Sequence, residues 1–518
     1  MNKMHSFVTR REKRGLIQGQ SKMGLAVCAW LVLGGVARAE FEEIQSKINT
    51  FTLSNGMRFI VLERHQAPVI SCYTYADVGS VQETKGITGL AHLFEHIAFK
   101  GSQRIGGRNY TEEAKALDKV DKTFAVFTRE RQKGAKADAE KLKELKAAFK
   151  AAQEEAGQYV VPNEFGEAIE KAGGKGLNAS TGSDATDYFF SLPSNELELW
   201  FYLESERFLD PVFREFYKEK DVVMEERRMR VESMPIGKMI EELLSVAYKA
   251  HPYGESGIGH MSDLEAITRA DAEAFMKKYY VPNNLVSVLV GDLEVSRVKE
   301  LAEDYFGRIA AGPTPEPLRT VEPPQTGERR VALRLESQRW VVVCYHKPDI
   351  NDPDNAVYDA LGSLLSDGRS SRLYRHLVRD KQIAVDAGGF PGFPGQKYPN
   401  LFIFYAMTAP GHTNLEVEKA FEEETERLRT ELVSVEELAG VQRRTRANLI
   451  RSLESNPGMA RSLAFWQALT GDWHELFKQP ARIAAVKPED IQRVAKRIFT
   501  FDNRTVGTIE PLAENASK

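Results

Sequence analysis

Two stretches of this 518-residue sequence, Ile267 to Val290 and Val486 to Ile509, align without a gap, matching Asp271 with Asp490, Lys277 with Lys496 and Asn284 with Asn503. In both, a run that opens on an acidic cap closes on bulky residues (Tyr279-Tyr280, Ile498-Phe499), turns at an asparagine and ends β-rich. The identities are few. The same helix, turn and strand order closing each half still points to duplication, so the fold must be one that can be built twice. Between Ala311 and Arg329 a set of prolines (Pro313, Pro315, Pro317, Pro323, Pro324) makes a stiff, extended connection rather than a packed element. The expected architecture is α+β: two homologous halves, 45–310 and 330–515, joined by a linker at 311–329. Each half is a largely antiparallel sheet with amphipathic helices covering one face.

The first half opens on Thr52-Leu53-Ser54-Asn55-Gly56 followed by Met57 to Leu62, which is the pattern of a strand, an Asn-Gly turn and a second strand. From 110 to 166 the composition shifts to Ala, Lys, Glu and Gln, strong helix formers with little bulky apolar content, and a charged, solvated helical insertion is expected there. Elsewhere the chain is ordinary globular material. Hydrophobic residues at 42%, charged residues at 28% and a mean hydropathy of -0.39 exclude a disordered, collagen-like or multi-span membrane chain.

The amino terminus is of a different kind. Residues 1–39 hold seven Lys/Arg against one acid, run apolar from Met23 to Val36, and end in Ala37-Arg38-Ala39. That is a signal peptide cleaved after Ala39, which implies export, in a bacterium to the periplasm. The alternative is an uncleaved anchor at residues 23–36. Removing the segment leaves a net charge of -10 on the rest, and a body that acidic excludes nucleic acid as a partner. Outside the segment only Cys72 and Cys344 remain, too few for a disulfide framework or a cysteine zinc ribbon.

The chemistry lies in Gly89-Leu90-Ala91-His92-Leu93-Phe94-Glu95-His96-Ile97, an H-x-x-E-H on a helix-forming stretch that chance would give only about 0.02 times in such a chain. On a helix His92 and His96 lie one turn apart on one face, so both imidazoles can grip one metal ion. Glu95, beside them, can take a proton from a water activated there. A catalytic zinc needs a third protein ligand. The candidates lie in Glu219-Lys220-Asp221-Val222-Val223-Met224-Glu225-Glu226, where Glu219 and Glu226, two turns apart, share a face and Glu225 is rotated by about 100°. One acid of this stretch can bind metal while another orients a ligand from behind.

With these residues in view, the chain resembles the pitrilysin and insulinase type of zinc metallopeptidase, the inverzincins, especially their processing-peptidase branch. The resemblance rests on Leu53-x-Asn55-Gly56, Gly89-x-x-His92-x-x-Glu95-His96 with Phe99-Lys100-Gly101-Ser102, Asn178-Ala179 and Glu219-x6-Glu226, in the family's order and across both halves. It implies one zinc per chain held by His92, His96 and Glu226, with Glu95 as general base and Glu219 as the carboxylate behind the ligands. It further implies that Asn178 and Ala179 lie on an edge strand that pairs with an extended peptide substrate. In the second half Arg379 resembles the family's substrate-clamping arginine. Val385 stands where the family has a tyrosine, which raises the possibility that a partner supplies the missing contact. The implied activity is a zinc-dependent endopeptidase acting on peptides or unfolded segments, alone, as a homodimer or with a related subunit. The competing function is a non-catalytic or partner-dependent subunit that binds polypeptides.

Overall fold

In a computed structural model that describes residues 41–512, the chain carries two sheets of matching topology. The signal peptide expected at 1–39 lies outside the described residues. The chain divides into two units, one ending at Ile48 and one running from Asn49; the described part of the first is helical at 41–46, and the second holds the sheets and the site.

The first sheet uses β1 (Ile48–Thr52), β2 (Arg58–Glu63), β3 (Val69–Ala76), β4 (Lys175–Thr181), β5 (Thr186–Pro193) and β6 (Leu285–Gly291), in the order β1-β2-β6-β3-β5-β4. The second uses β7 (Arg329–Leu335), β8 (Trp340–Lys347), β9 (Ala384–Phe393), β10 (Asn400–Thr408) and β11 (Arg504–Pro511), in the order β7-β11-β8-β10-β9. Strands 2-6-3-5-4 and 7-11-8-10-9 correspond one to one. A parallel pairing falls in the same place in each sheet, β2 with β6 and β7 with β11.

The repeated sequence shows why. Helix α9 (Arg269–Tyr279) leads into β6 and helix α16 (Pro488–Ile498) into β11, and both begin with a carboxylate, Asp271 or Asp490, accepting the backbone N–H of the capping residue. Asn284 Nδ2 donates to Tyr279 O at 2.9 Å and to Asp77 O at 3.0 Å. Asn503 Nδ2 donates to Ile498 O and His346 O, both at 2.9 Å. Each asparagine thus ties a helix end to the strand beside it.

The other helices fall into the same series. The first half has α1 (Leu90–Ile97), α2 (Tyr110–Arg131), α3 (Ala139–Gly157), α4 (Glu164–Lys171), α5 (Leu197–Leu209), α6 (Phe216–Arg227), α7 (Pro235–Ala247), α8 (Met261–Ala266) and, after α9 and β6, α10 (Val295–Tyr305). The second half has α11 (Asn355–Ser366), α12 (Asn414–Thr430), α13 (Val435–Glu454), α14 (Asn456–Thr470) and α15 (Glu475–Ala485) before α16.

Helices on one face of each sheet are only part of the packing. β3 is buried from Ile70 to Ala76, and β8 buries both alternating sets of side chains, so each sheet needs cover on both faces. The second cover is exchanged between the halves. Helix α7 lays Met239, Leu243, Leu244 and Ala247 on Val342, Cys344, Ile403 and Ile509 of the second sheet. Helix α14 lies on β3 and β6 of the first, with Asn456 Nδ2 donating to Val69 O at 3.2 Å. Cys72 and Cys344 are both free and buried.

The helical insertion is not simply solvated. On α2, Glu113 is fully buried and accepts from Arg214 Nε at 2.6 Å and Nη2 at 2.9 Å, a pair whose loss of one partner costs about 3–5 kcal/mol. Phe124 of α2 and Phe149 of α3 pack on Tyr217 of α6, with ring centroids 4.2 and 5.3 Å away. The small, charged residues occupy the outer faces; a few large ones, spaced along α2 and α3, were enough to dock the hairpin. No helix among the described residues is long and apolar enough to cross a membrane.

Candidate metal centre

The H-x-x-E-H motif forms α1, and the helix is held at both ends by buried polar side chains. Its capping residue, Gly89, has φ +89° and no side chain to cap with; a Cβ there would come within 2.6 Å of Ile258 O. The cap comes instead from Glu83, whose carboxylate accepts the N–H of Gly89 at 2.8 Å and of Ala91 at 2.7 Å. Burial pushes the Glu83 carboxyl up to about 8 against the pull of those N–H groups. At the other end Arg207, caged by Phe99, Phe165 and Tyr188, donates to Ala98 O at 2.9 Å. Accepting carboxyl oxygens at the helix N-terminus and a cation at its C-terminus both match the helix dipole.

Helix α6 lies against α1 and is fixed as firmly. Lys220, buried on it, donates to Glu265 O at 3.1 Å and Ile267 O at 3.0 Å and sits 4.1 Å from the Phe124 ring; burial lowers its ammonium to about 7. Arg227 donates to Gly259 O at 2.6 Å and to Glu241 Oε1 at 2.9 Å.

The two helices bring His92, His96 and Glu226 together. Glu226 Oε2 is 3.5 Å from His92 Nε2 and 3.5 Å from His96 Nε2, and one ligand atom from each of the three residues lies within 4.8 Å of the others. A tetrahedral zinc with ligands at about 2.1 Å has ligand atoms about 3.4 Å apart, so the two distances to Glu226 fit such an ion. Glu225, the other candidate, is exposed and paired with Arg228 at 2.9 Å. Glu219 Oε2 lies 3.5 Å from His96 Nδ1, and its Oε1 is 2.6 Å from Lys100 Nζ. Lys100, present in the sequence motif but assigned no part, completes a line from its ammonium through Glu219 to His96.

The charges are tuned accordingly. Burial lowers His92, which keeps its imidazole neutral. His96 is also pushed down by burial, but Glu219 and Glu226 outweigh that and raise it. His96 and Lys100 in turn hold Glu219 below the ordinary glutamate range despite its burial. Glu95 is raised by burial, with Asp187 and Glu226 adding to the rise and a hydrogen bond from Thr181 opposing it.

Thr181 is the last residue of β4, which is the edge strand of its sheet. Asn178 and Ala179 lie on that strand, opposite Phe189 and Tyr188 of β5, and Asn178 Oδ1 accepts the Ala179 N–H at 2.9 Å. Arg379 is exposed in the second half with its guanidinium on Asp380, at 2.7 and 3.1 Å. Val385 is exposed at the start of β9, the edge strand of the second sheet. The sequence alone gave no reason to single out Thr181, Glu83 or Arg207, because each acts across a gap in sequence that no local pattern spans.

A fold built of two like halves, with two histidines and a glutamate converging beside a sheet edge, carries a candidate metal centre of the two-histidine, one-carboxylate kind. The comparisons agree. The family described as Insulinase (Peptidase family M16) matches residues 58–135 and 148–260, and the one described as Peptidase M16 inactive domain matches 266–445. The chain belongs to the insulinase and pitrilysin family of peptidases, M16. It is 27% identical over 499 residues to the zinc protease PqqE of Helicobacter pylori, covering 94% of this chain and 98% of that protein. It is 23% identical to a probable mitochondrial-processing peptidase subunit beta of Schizosaccharomyces pombe, covering 90% of this chain and 93% of that protein. Among solved structures, a protease from Helicobacter pylori superposes with a TM-score of 0.75 at 26% identity, covering 90% of this chain and 100% of that one.

Proposed function

We propose that this chain is an exported zinc-dependent endopeptidase that hydrolyses peptides or extended segments of polypeptide. The observation that carries the reading is the single carboxylate oxygen of Glu226 at 3.5 Å from both imidazole nitrogens of an H-x-x-E-H helix. In it, His92, His96 and Glu226 hold the metal, and Glu219, backed by Lys100, orients His96. Zinc bound there would lower the pKa of a water towards about 7 and polarise a carbonyl.

Glu95 is the general base. It takes a proton from the water that adds to the scissile carbonyl, and its carboxyl then delivers that proton to the departing amine nitrogen. The substrate lies along β4 as an added strand, passing Asn178 and Ala179 towards Thr181 and so reaching Glu95. Arg379 approaches from the second half. The test is zinc content of the purified mature chain together with cleavage of a quenched random-peptide library. About one zinc per chain with cleavage supports the peptidase; cleavage without bound metal would sink the reading.

A second reading is favoured by two observations. Val385, exposed on the second sheet's edge, stands in the tyrosine's place, and Arg379 is engaged by Asp380. A chain that binds zinc but cleaves only when a related subunit is added would be a partner-dependent member of the family.

The raised Glu95 gives a pH test. The base must be ionised, so activity falls as pH drops through the Glu95 pKa, which burial raises and a bound zinc ion would lower. Thr181→Val removes a hydrogen bond that lowers this pKa, so the acid limb of kcat/KM should move to higher pH. A limb that stays put or moves down would show that Thr181 does not act on Glu95.

A further inference from the structure

Arg230 follows Glu226 by four residues, and its Nη2 lies 2.8 Å from Glu226 Oε1, whereas it is Oε2 that meets the two histidines. The backbone is built for this contact. After Arg227 the helix widens into a π turn, Arg228–Glu232, with the Ser233 N–H donating to Arg228 O at 2.7 Å. A wider turn rotates less per residue, so residue i+4 falls back over residue i, and such turns recur at functional sites.

The turn is itself held from the other side. A Cβ on Gly237 of α7 would come within 2.1 Å of Arg230 O and 3.0 Å of Val231 Cα, so α7 can press on the turn only because it has glycine there. Arg227, the last residue of α6 before the turn, is tied to α7 through Glu241. Helix α7 is also the one that covers the second half's sheet.

We propose that Arg230 is a positioning residue for the metal centre. It keeps one oxygen of Glu226 occupied so that the other alone is presented between His92 and His96, and the close seat of α7 at Gly237 keeps Arg230 in place. The inference rests on the reading of His92, His96 and Glu226 as metal ligands. A free carboxylate can turn either or both oxygens towards the histidines; one held by a guanidinium cannot. Stability is not what the pair supplies, since the Arg230 side chain is 63% exposed and such pairs contribute about 0–1 kcal/mol. Outer partners of metal ligands act on metal affinity, with losses of about 10–100-fold on removal.

The test uses the full mature chain, stripped of metal and titrated with Zn²⁺ against a chromophoric chelator, with Co²⁺ as a spectroscopic probe. R230M is expected to bind zinc about tenfold more weakly or worse, with altered Co²⁺ bands and an unchanged Tm of the metal-free protein. R230K should recover part of the affinity, since lysine supplies the charge without the planar fork. G237A touches no polar side chain yet should weaken zinc in the same direction by displacing the turn. Wild-type zinc affinity in R230M overturns the proposal, and wild-type affinity in G237A overturns the part given to α7. A wild-type chain that takes up no zinc would instead sink the metal reading beneath it, a failure visible before any variant is made.

Discussion

Glu95→Gln should leave the purified chain with its zinc and without measurable peptide hydrolysis. Glu95 lies on the same helix as His92 and His96, but it is not among the three residues whose ligand atoms converge within 4.8 Å. Glutamine has the same shape and can keep the contact with Thr181, so the helix and the histidines have no reason to move. What it lacks is the ability to take a proton. A general base contributes about 10²–10⁴-fold, so turnover should fall by that factor while metal content, measured by elemental analysis on the same sample, stays at the wild-type value. Full hydrolysis by the variant would remove Glu95 from the mechanism. The comparison also separates the two functions open to this fold, because a chain that only binds polypeptides would hold them equally well with either residue.

Much of this fold was legible where the signal is local. The Asn-Gly turn, the paired histidines and the matched helix, turn and strand at the ends of the halves are each decided within a few residues. Asn284 and Asn503 make the same two bonds because the same turn needs the same donor. Spacing alone could not choose between Glu225 and Glu226. Residues about 100° apart on a helix are equivalent until something fixes its rotation, and here Lys220 and Arg227 fix it through carbonyls of the distant segment 259–267. The same limit hid the exchange of α7 and α14. An amphipathic helix announces that one face is buried, not which sheet buries it. It hid the insertion's role too, since Phe124 and Phe149 are sparse in a charged stretch and matter only because Tyr217 waits opposite them.

Glu226→Gln, or His92→Ala, should lose the metal itself. Removing one of three protein ligands leaves two, and zinc stoichiometry should fall from about one per chain towards zero, with cleavage lost in step. The loss should also be visible as stability. A ligand that binds only the folded state adds about 2.7 kcal/mol at a hundred times its Kd, so zinc should raise the Tm of the wild type and of Glu95→Gln but not of these variants. Neither substitution should unfold the metal-free chain, because α1 is held by Glu83 and Arg207 and α6 by Lys220 and Arg227, none of which is touched. If Glu226→Gln kept its zinc, the third ligand would have to be another carboxylate near the histidines. Glu225 is turned to solvent on Arg228, and Glu219 meets His96 at Nδ1 rather than at the Nε2 that faces Glu226, so zinc kept by Glu226→Gln would overturn the ligand set itself.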